Sequence, residues 1–183
     1  ETACKERGIE FIDAEVEEAV MGDDGDLKGL KIESGAVLKA DLFVDSSGFN
    51  SALLGGALEE EFVSYSNDLF CDKAVVGGWD RGSNEEILPY TLAETMEAGW
   101  SWRIDHPERV NRGYVFCSSY LSDEDAEKEF RQKNPKIDSV RIIKFQSGRR
   151  KRVWVRNVVG IGNAAGFVEP LEGTAIMCSC FQA

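Results

Sequence analysis

One histidine, His106, stands in 183 residues. A zinc site with several imidazole ligands is excluded, a Cys/His mixture is poor, and no metal is expected. With no Gly-x-Ser-x-Gly elbow either, Ser46 and Ser47 do not make a hydrolase. His106, between Asp105 and Pro107, reads as a loop residue. Cysteine is scattered: Cys4, Cys71, Cys117, Cys178 and Cys180 are five, and none forms Cys-x-x-Cys. That argues against a disulfide framework and for a reducing, cytoplasmic compartment. No secretory signal and no run of about 18 apolar residues is present, so no membrane span is expected. Positive charge is short, with Lys plus Arg 21 against Asp plus Glu 33 and a net charge of −12. Such a chain repels phosphate backbones and anionic bilayers, which argues against nucleic acid and membrane partners. No repeat, no low-complexity tract and no Gly-x-Gly-x-x-Gly is found.

What is there reads as globular: 43% hydrophobic and 30% charged residues, long enough for one sizeable core or two small ones. The chain starts at Glu1 and stops inside the apolar run Ala175–Phe181 without a cap. It is therefore expected to be an internal piece of a longer protein.

Apolar alternation predicts strands over Ile9–Met21, Leu27–Glu33 and Ala36–Asp45, the last buried on both faces at Leu42-Phe43-Val44. Asp45-Ser-Ser-Gly-Phe49 then reads as a strand–turn–helix junction, the kind of edge where α/β sheets bind ligands. Short strands at Ala74–Val76, Arg103–Ile104 and Arg112–Tyr120 predict an antiparallel sheet. Leu92 and Met96, four apart, predict a short helix within Thr91–Gly99. Ser122-Asp-Glu-Asp125 reads as a capping box opening a surface helix of about three turns. Val140–Phe145 is a strand. Arg149–Arg152 reads as the solvated rim of a hairpin. Asn157–Ile161 is a last buried strand. The chain thus leaves an α/β layer near Leu58, builds a separate sheet, and returns near Val153.

The chemistry concentrates near the end. Gly162-Asn-Ala-Ala-Gly166 follows a buried strand, and small residues there let a ligand approach the backbone. Pro170 fixes chain direction, and Gly173-Thr-Ala175 opens an apolar segment whose free N–H groups suit an anion. Cys178 and Cys180 read as buried thiols. Glu169 and Glu172 sit three apart beside this apolar stretch, where carboxylates need a reason to be.

Asp41-Leu-Phe-Val-Asp-Ser-Ser-Gly-Phe49, Gly99-Trp-Ser-Trp-Arg-Ile104, Arg112-Gly-Tyr-Val-Phe116 and Ile161-Gly-Asn-Ala-Ala-Gly-Phe-Val-Glu-Pro-Leu-Glu-Gly-Thr-Ala-Ile176 occur in one order. Together they resemble the flavin-dependent tryptophan halogenase family over nearly the whole chain. The resemblance implies an α/β chain with α+β features: a flavin monooxygenase-like FAD-binding fold with an inserted antiparallel substrate-domain sheet. Residues 1–58 would belong to the FAD-binding domain, 59–152 to the substrate-domain sheet and surface helix, and 153–183 to the return into the FAD-binding domain.

It further implies reduced FAD from a separate flavin reductase, O2, and chloride or bromide as co-substrate. Hypohalous acid formed near the flavin would reach a lysine beside a small aromatic substrate: tryptophan, another indole, a pyrrole or a phenol. Glu172 matches the family's active-site glutamate, which helps hold the substrate and assists proton removal at the halogenated carbon. Thr174 and Ala175 match the halide-holding backbone positions. Gly48, Gly162, Asn163, Gly166, Pro170 and Ile176 are the candidate flavin contacts. Trp100, Trp102 and Ile104 match a Trp-x-Trp-x-Ile-Pro signature near flavin and substrate. The glycine fingerprint and the lysine are expected upstream, and a homodimer is left open. Departures are Asp105 for the signature proline, Gly173 for serine and Ala175 for glycine. An aromatic hydroxylase of the same fold, or an inactive truncated relative, stay as alternatives.

Overall fold

The structure, a computed structural model, describes residues 2–169, 171, 177, 180 and 181. Among these, the chain runs through α1 (Thr2–Glu6), β1 (Val16–Met21), β2 (Leu27–Ile32), β3 (Val37–Leu38), β4 (Phe43–Asp45), β5 (Phe62–Ser64), β6 (Lys73–Asp80), β7 (Leu92–Met96), β8 (Gly99–Asp105), β9 (Arg109–Phe116), α2 (Asp123–Lys133), β10 (Val140–Lys144), β11 (Gly148–Arg150), β12 (Trp154–Val155), β13 (Val158–Gly160) and β14 (Gly166–Phe167). Two units result. One takes the chain up to Glu61 together with Arg150–Ala165; the other takes Phe62–Arg149 together with residues from Gly166 on. No helix among the described residues is long and apolar enough to cross a membrane.

The first unit holds an antiparallel meander, β1-β2-β3, and a sheet of order β12-β13-β4 in which β13 and β4 run parallel. Leu27, Phe43 and Val158 form its buried centre, with Leu53 and Leu58 packed against them. Asn157 joins the layers: its side chain accepts from Leu27 N at 3.0 Å and donates to Leu27 O at 2.8 Å. The predicted first strand begins only at Val16, because Ile9, Phe11 and Ile12 are exposed and find no ladder partner among the described residues. The predicted third strand is two short ones. Leu42 and Val44 are 48% and 51% exposed, so β4 is buried on one face, through Phe43 and Asp45, and not on both.

The basic run is exposed at Arg149, Lys151 and Arg152, as expected, but it links β11 and β12 of different sheets and is not the rim of a hairpin. Arg150 donates to Glu60 O at 2.9 Å, Arg152 binds the Glu60 carboxylate at 2.6 Å, and Lys151 meets Glu61 at 2.8 Å. The acidic partners lie some ninety residues earlier, beyond the reach of local pattern.

The second unit is an antiparallel five-stranded sheet of order β10-β6-β9-β8-β7, with a smaller sheet of order β14-β11-β5. The expected helix within Thr91–Gly99 is instead the β7–β8 hairpin, with Met96 opposite Gly99 and Leu92 opposite Arg103. Leu92, Glu94 and Met96 also alternate, and the two-residue turn Glu97-Ala98 lets that period win. Helix α2 covers one face. Ala126 and Phe130 are fully buried against Val75, Tyr114 and Phe116. Burying one such aromatic side chain contributes roughly 1.5–3 kcal/mol.

Ser122 caps α2 by accepting from Asp125 N at 3.1 Å, and Asp123, Glu124 and Asp125 fill the first turn. Ser122→Ala is expected to cost about 1 kcal/mol. A shift of the urea midpoint at unchanged slope checks this; an unmoved midpoint would remove the cap from the helix's stability.

Candidate functional site

In the first unit, the parallel strands β4 and β13 end side by side, with Gly160 opposite Asp45. Asp45 is 2% exposed, yet it is a carboxylate. Four donors explain it. Ser47 Oγ donates at 2.6 Å and Ser47 N at 3.1 Å, while Leu53 N and Leu54 N donate at 2.9 and 2.8 Å. Burial alone would raise its pKa, but the hydrogen bonds from Ser47, Leu54 and Leu53 together hold it below the usual carboxylate value. The last two donors open a π-helical turn, Ala52–Ala57, so the carboxylate stands in for the missing turn before it.

Ser51 completes the frame. Its hydroxyl donates to Ala164 O at 2.8 Å and accepts from Gly55 N at 3.1 Å. The loop after β4 is thereby fixed to the loop after β13. On these loops Gly48 and Gly162 take φ of +68° and +56°, which glycine adopts without strain. No heavy atom lies within 4 Å of the place a Cβ would occupy on Gly48. Asn163 is exposed beside buried Ala164 and Ala165. Three sequence-predicted residues, Gly48, Gly162 and Asn163, therefore share the carboxyl edge of one parallel pair, where ligands bind in α/β sheets. Asp45, which builds this edge, is missed as a site residue by sequence reasoning. The available signal is an acidic residue closing an apolar strand.

In the second unit, Trp100, Trp102 and Ile104 alternate along β8 and share one face. The two indoles sit 6.0 Å apart at 54°. Trp102 lies over Gly113 of β9, where a Cβ would meet its ring at 1.9 Å. Trp100 Nε1 donates to the Glu169 carboxylate. Burial, followed by the Glu169 charge, pushes the Cys71 thiol up to about 12, so it stays protonated. Beside Cys71 opens a cavity of about 550 Å³ lined by Phe70, Gly99, Cys117 and Tyr120 among others. Gly166 opens β14 opposite Arg149.

Asp105, at the signature's proline position, is not idle. It accepts from Arg103 Nε at 2.8 Å and from Leu88 N at 3.0 Å, and pairs with Arg81 at 3.8 Å. The Arg103 bond holds its carboxyl below the usual range. Arg81 also donates to the carbonyls of His106, Glu85 and Glu86, so this network shapes the loop between β6 and β7.

Pro170, Glu172, Thr174, Ala175, Ile176 and Cys178 lie outside the described residues. Cys180, expected buried, is exposed, as are Met177 and Phe181. The four described cysteines are all free.

Residues 1–182 match the family model described as tryptophan halogenase. Tryptophan 6-halogenase ThaL of Streptomyces albogriseolus is 34% identical over 95% of this chain and 34% of its own length. Tryptophan 7-halogenase RebH of Lentzea aerocolonigenes is 35% identical over the same shares, 95% and 34%. The chain thus spans about a third of the length of these curated relatives. Among solved structures, BrvH, a flavin-dependent halogenase from Brevundimonas sp. BAL3, superposes with a TM-score of 0.92 at 32% identity, covering 99% of this chain and 38% of that one. MibH, a tryptophan 5-halogenase, gives 0.90 at 37% identity, with 98% and 34% covered. The mixed α/β architecture is that of the flavin-dependent halogenases, and the chain belongs to the tryptophan halogenase family.

Proposed function

We propose that this chain works within a flavin-dependent halogenase that places chloride or bromide on a small aromatic substrate. The observation that carries the reading is the edge built by Asp45 and Ser51. It presents Gly48 and Gly162 at the carboxyl ends of the parallel pair, with open space where a Cβ on Gly48 would sit. These residues fit FAD. Gly48, Gly162 and Asn163 would hold it, and the family motif adds Gly166, Pro170 and Ile176. When bound, reduced FAD with O2 supplies the oxidising power that turns halide into an electrophile.

The chain's own residues do the rest. Backbone N–H groups at Thr174 and Ala175 hold the halide by charge-assisted hydrogen bonds. Glu172 orients the substrate and takes the proton from the carbon that gains the halogen. Trp100, Trp102 and Ile104 present an apolar face that excludes water from reactive species. A separate reductase supplies the reduced flavin, and the free cysteines support a cytoplasmic setting.

The test uses the full-length protein with reduced FAD, O2, bromide, and a panel of tryptophan, indole, pyrrole and phenol. A monobrominated product by mass spectrometry is expected. A hydroxylated product would instead assign an aromatic monooxygenase. Flavin binding without any product would leave an inactive relative.

A further inference from the structure

Glu169 is a carboxylate held by a neutral donor: Trp100 Nε1 donates to it from β8. The bond is not a surface ion pair, and both ends are fixed. Trp100 is set by its β8–β9 pairing with Val115 and by the neighbouring Trp102 ring, itself seated on Gly113. On the chain side, Phe167 pairs with Gly148 and meets the Phe145 ring at 5.2 Å. Leu171 N then donates back to Glu169 O at 3.0 Å. Phe167 and Glu169 are thus each held by contacts to a sheet. Three residues beyond Glu169 comes Glu172.

We propose that Glu169 is a positioning residue, tying the segment that leads into Glu172 to Trp100 and so setting where the Glu172 carboxylate acts. This rests on the halogenase reading for the role of Glu172, but the tie itself does not. Catalytic groups need support that locks their approach, and a displacement near 1 Å can cost about a hundredfold in rate. A neutral donor suits the task, since the tie does not loosen with salt as a surface ion pair does.

The experiment compares Glu169→Ala, Glu169→Gln and Trp100→Phe in the full-length protein. Hydrogen exchange of the peptide covering 166–177 reads the tie without any turnover. Glu169→Ala and Trp100→Phe are expected to speed that exchange about tenfold. Both should lower kcat about tenfold while KM for the aromatic substrate stays within about twofold. Glu169→Gln keeps an oxygen that accepts from the indole and should recover most of both losses. Trp100→Phe keeps an aromatic ring on the sheet, so a fold defect in Glu169→Ala does not decide the matter.

Unchanged exchange in Glu169→Ala and Trp100→Phe would overturn the tie. Faster exchange with kcat within about twofold of the parent would overturn the positioning role. A parent protein that halogenates nothing would sink the proposed function and the positioning role with it. Exchange would then show whether the tie alone exists.

Discussion

Glu172→Gln, in the full-length protein, should lower halogenation kcat by about a hundredfold or more. The amide keeps the size and one hydrogen-bond acceptor of the carboxylate, so substrate and flavin should still bind. What it loses is the ability to take a proton. Electrophilic substitution on an aromatic ring leaves a proton on the carbon that gained the halogen, and a positioned carboxylate is the base that removes it. Steady-state kcat with bromide, beside flavin affinity from absorbance titration, separates the two effects. A variant turning over within a few-fold of the parent would strip Glu172 of its role, whatever else the site did.

The second large effect lies away from the reacting atoms. Asp45→Ala is expected to destabilise the protein by about 3–4 kcal/mol, because it strands donors that have no other partner close by. Leu53 N and Leu54 N are the costly ones, since Leu54 is fully buried. Asp45→Asn should cost about 2 kcal/mol, because the amide keeps one accepting oxygen and loses the charge. Urea titration measures both.

The pH arm gives a sign. Asp45 has its folded pKa below its unfolded one. Its contribution is therefore complete above the unfolded value, about 3.9, and is lost as pH falls through the folded value. Across that acidic window the parent should lose more stability than Asp45→Asn does. Parallel losses in the two proteins would mean the Asp45 charge contributes nothing.

How far the sequence could be read depended on the distance between partners. The α2 helix was legible because Ser122 and Asp125 are neighbours, and Ala126 with Phe130 shows the buried stripe. β13 was legible as a short apolar run before glycine. β7 was not, since Leu92 and Met96 satisfy both periods and only the hairpin partner across Glu97-Ala98 decides. The exposure of the Arg149–Arg152 run was legible but its pairing was not, because its carboxylates belong to Glu60 and Glu61. Of the site, Gly48 and Gly162 stood out as glycines in turns after buried strands, and Asn163 by its match to the family motif. The Asp45 cradle was not, because backbone N–H groups are its partners and every sequence has those. The Glu169 tie was hidden for the opposite reason: Trp100 lies 69 residues away and gives no local hint.

The parallel pairing of β4 with β13 also dictates a timetable. Phe43 sits opposite Val158, about 115 residues later in the chain. At ribosomal speeds of about 5–20 residues per second, β4 waits on the order of ten seconds before its partner is even synthesised. The five-stranded sheet draws all its strands from Lys73–Lys144 and is complete in sequence before β13 exists. The five-stranded sheet therefore has the head start over the parallel pair. During that delay Phe43 and Val44 are an open apolar edge on the nascent chain, which marks this strand as the one a chaperone would have to shield.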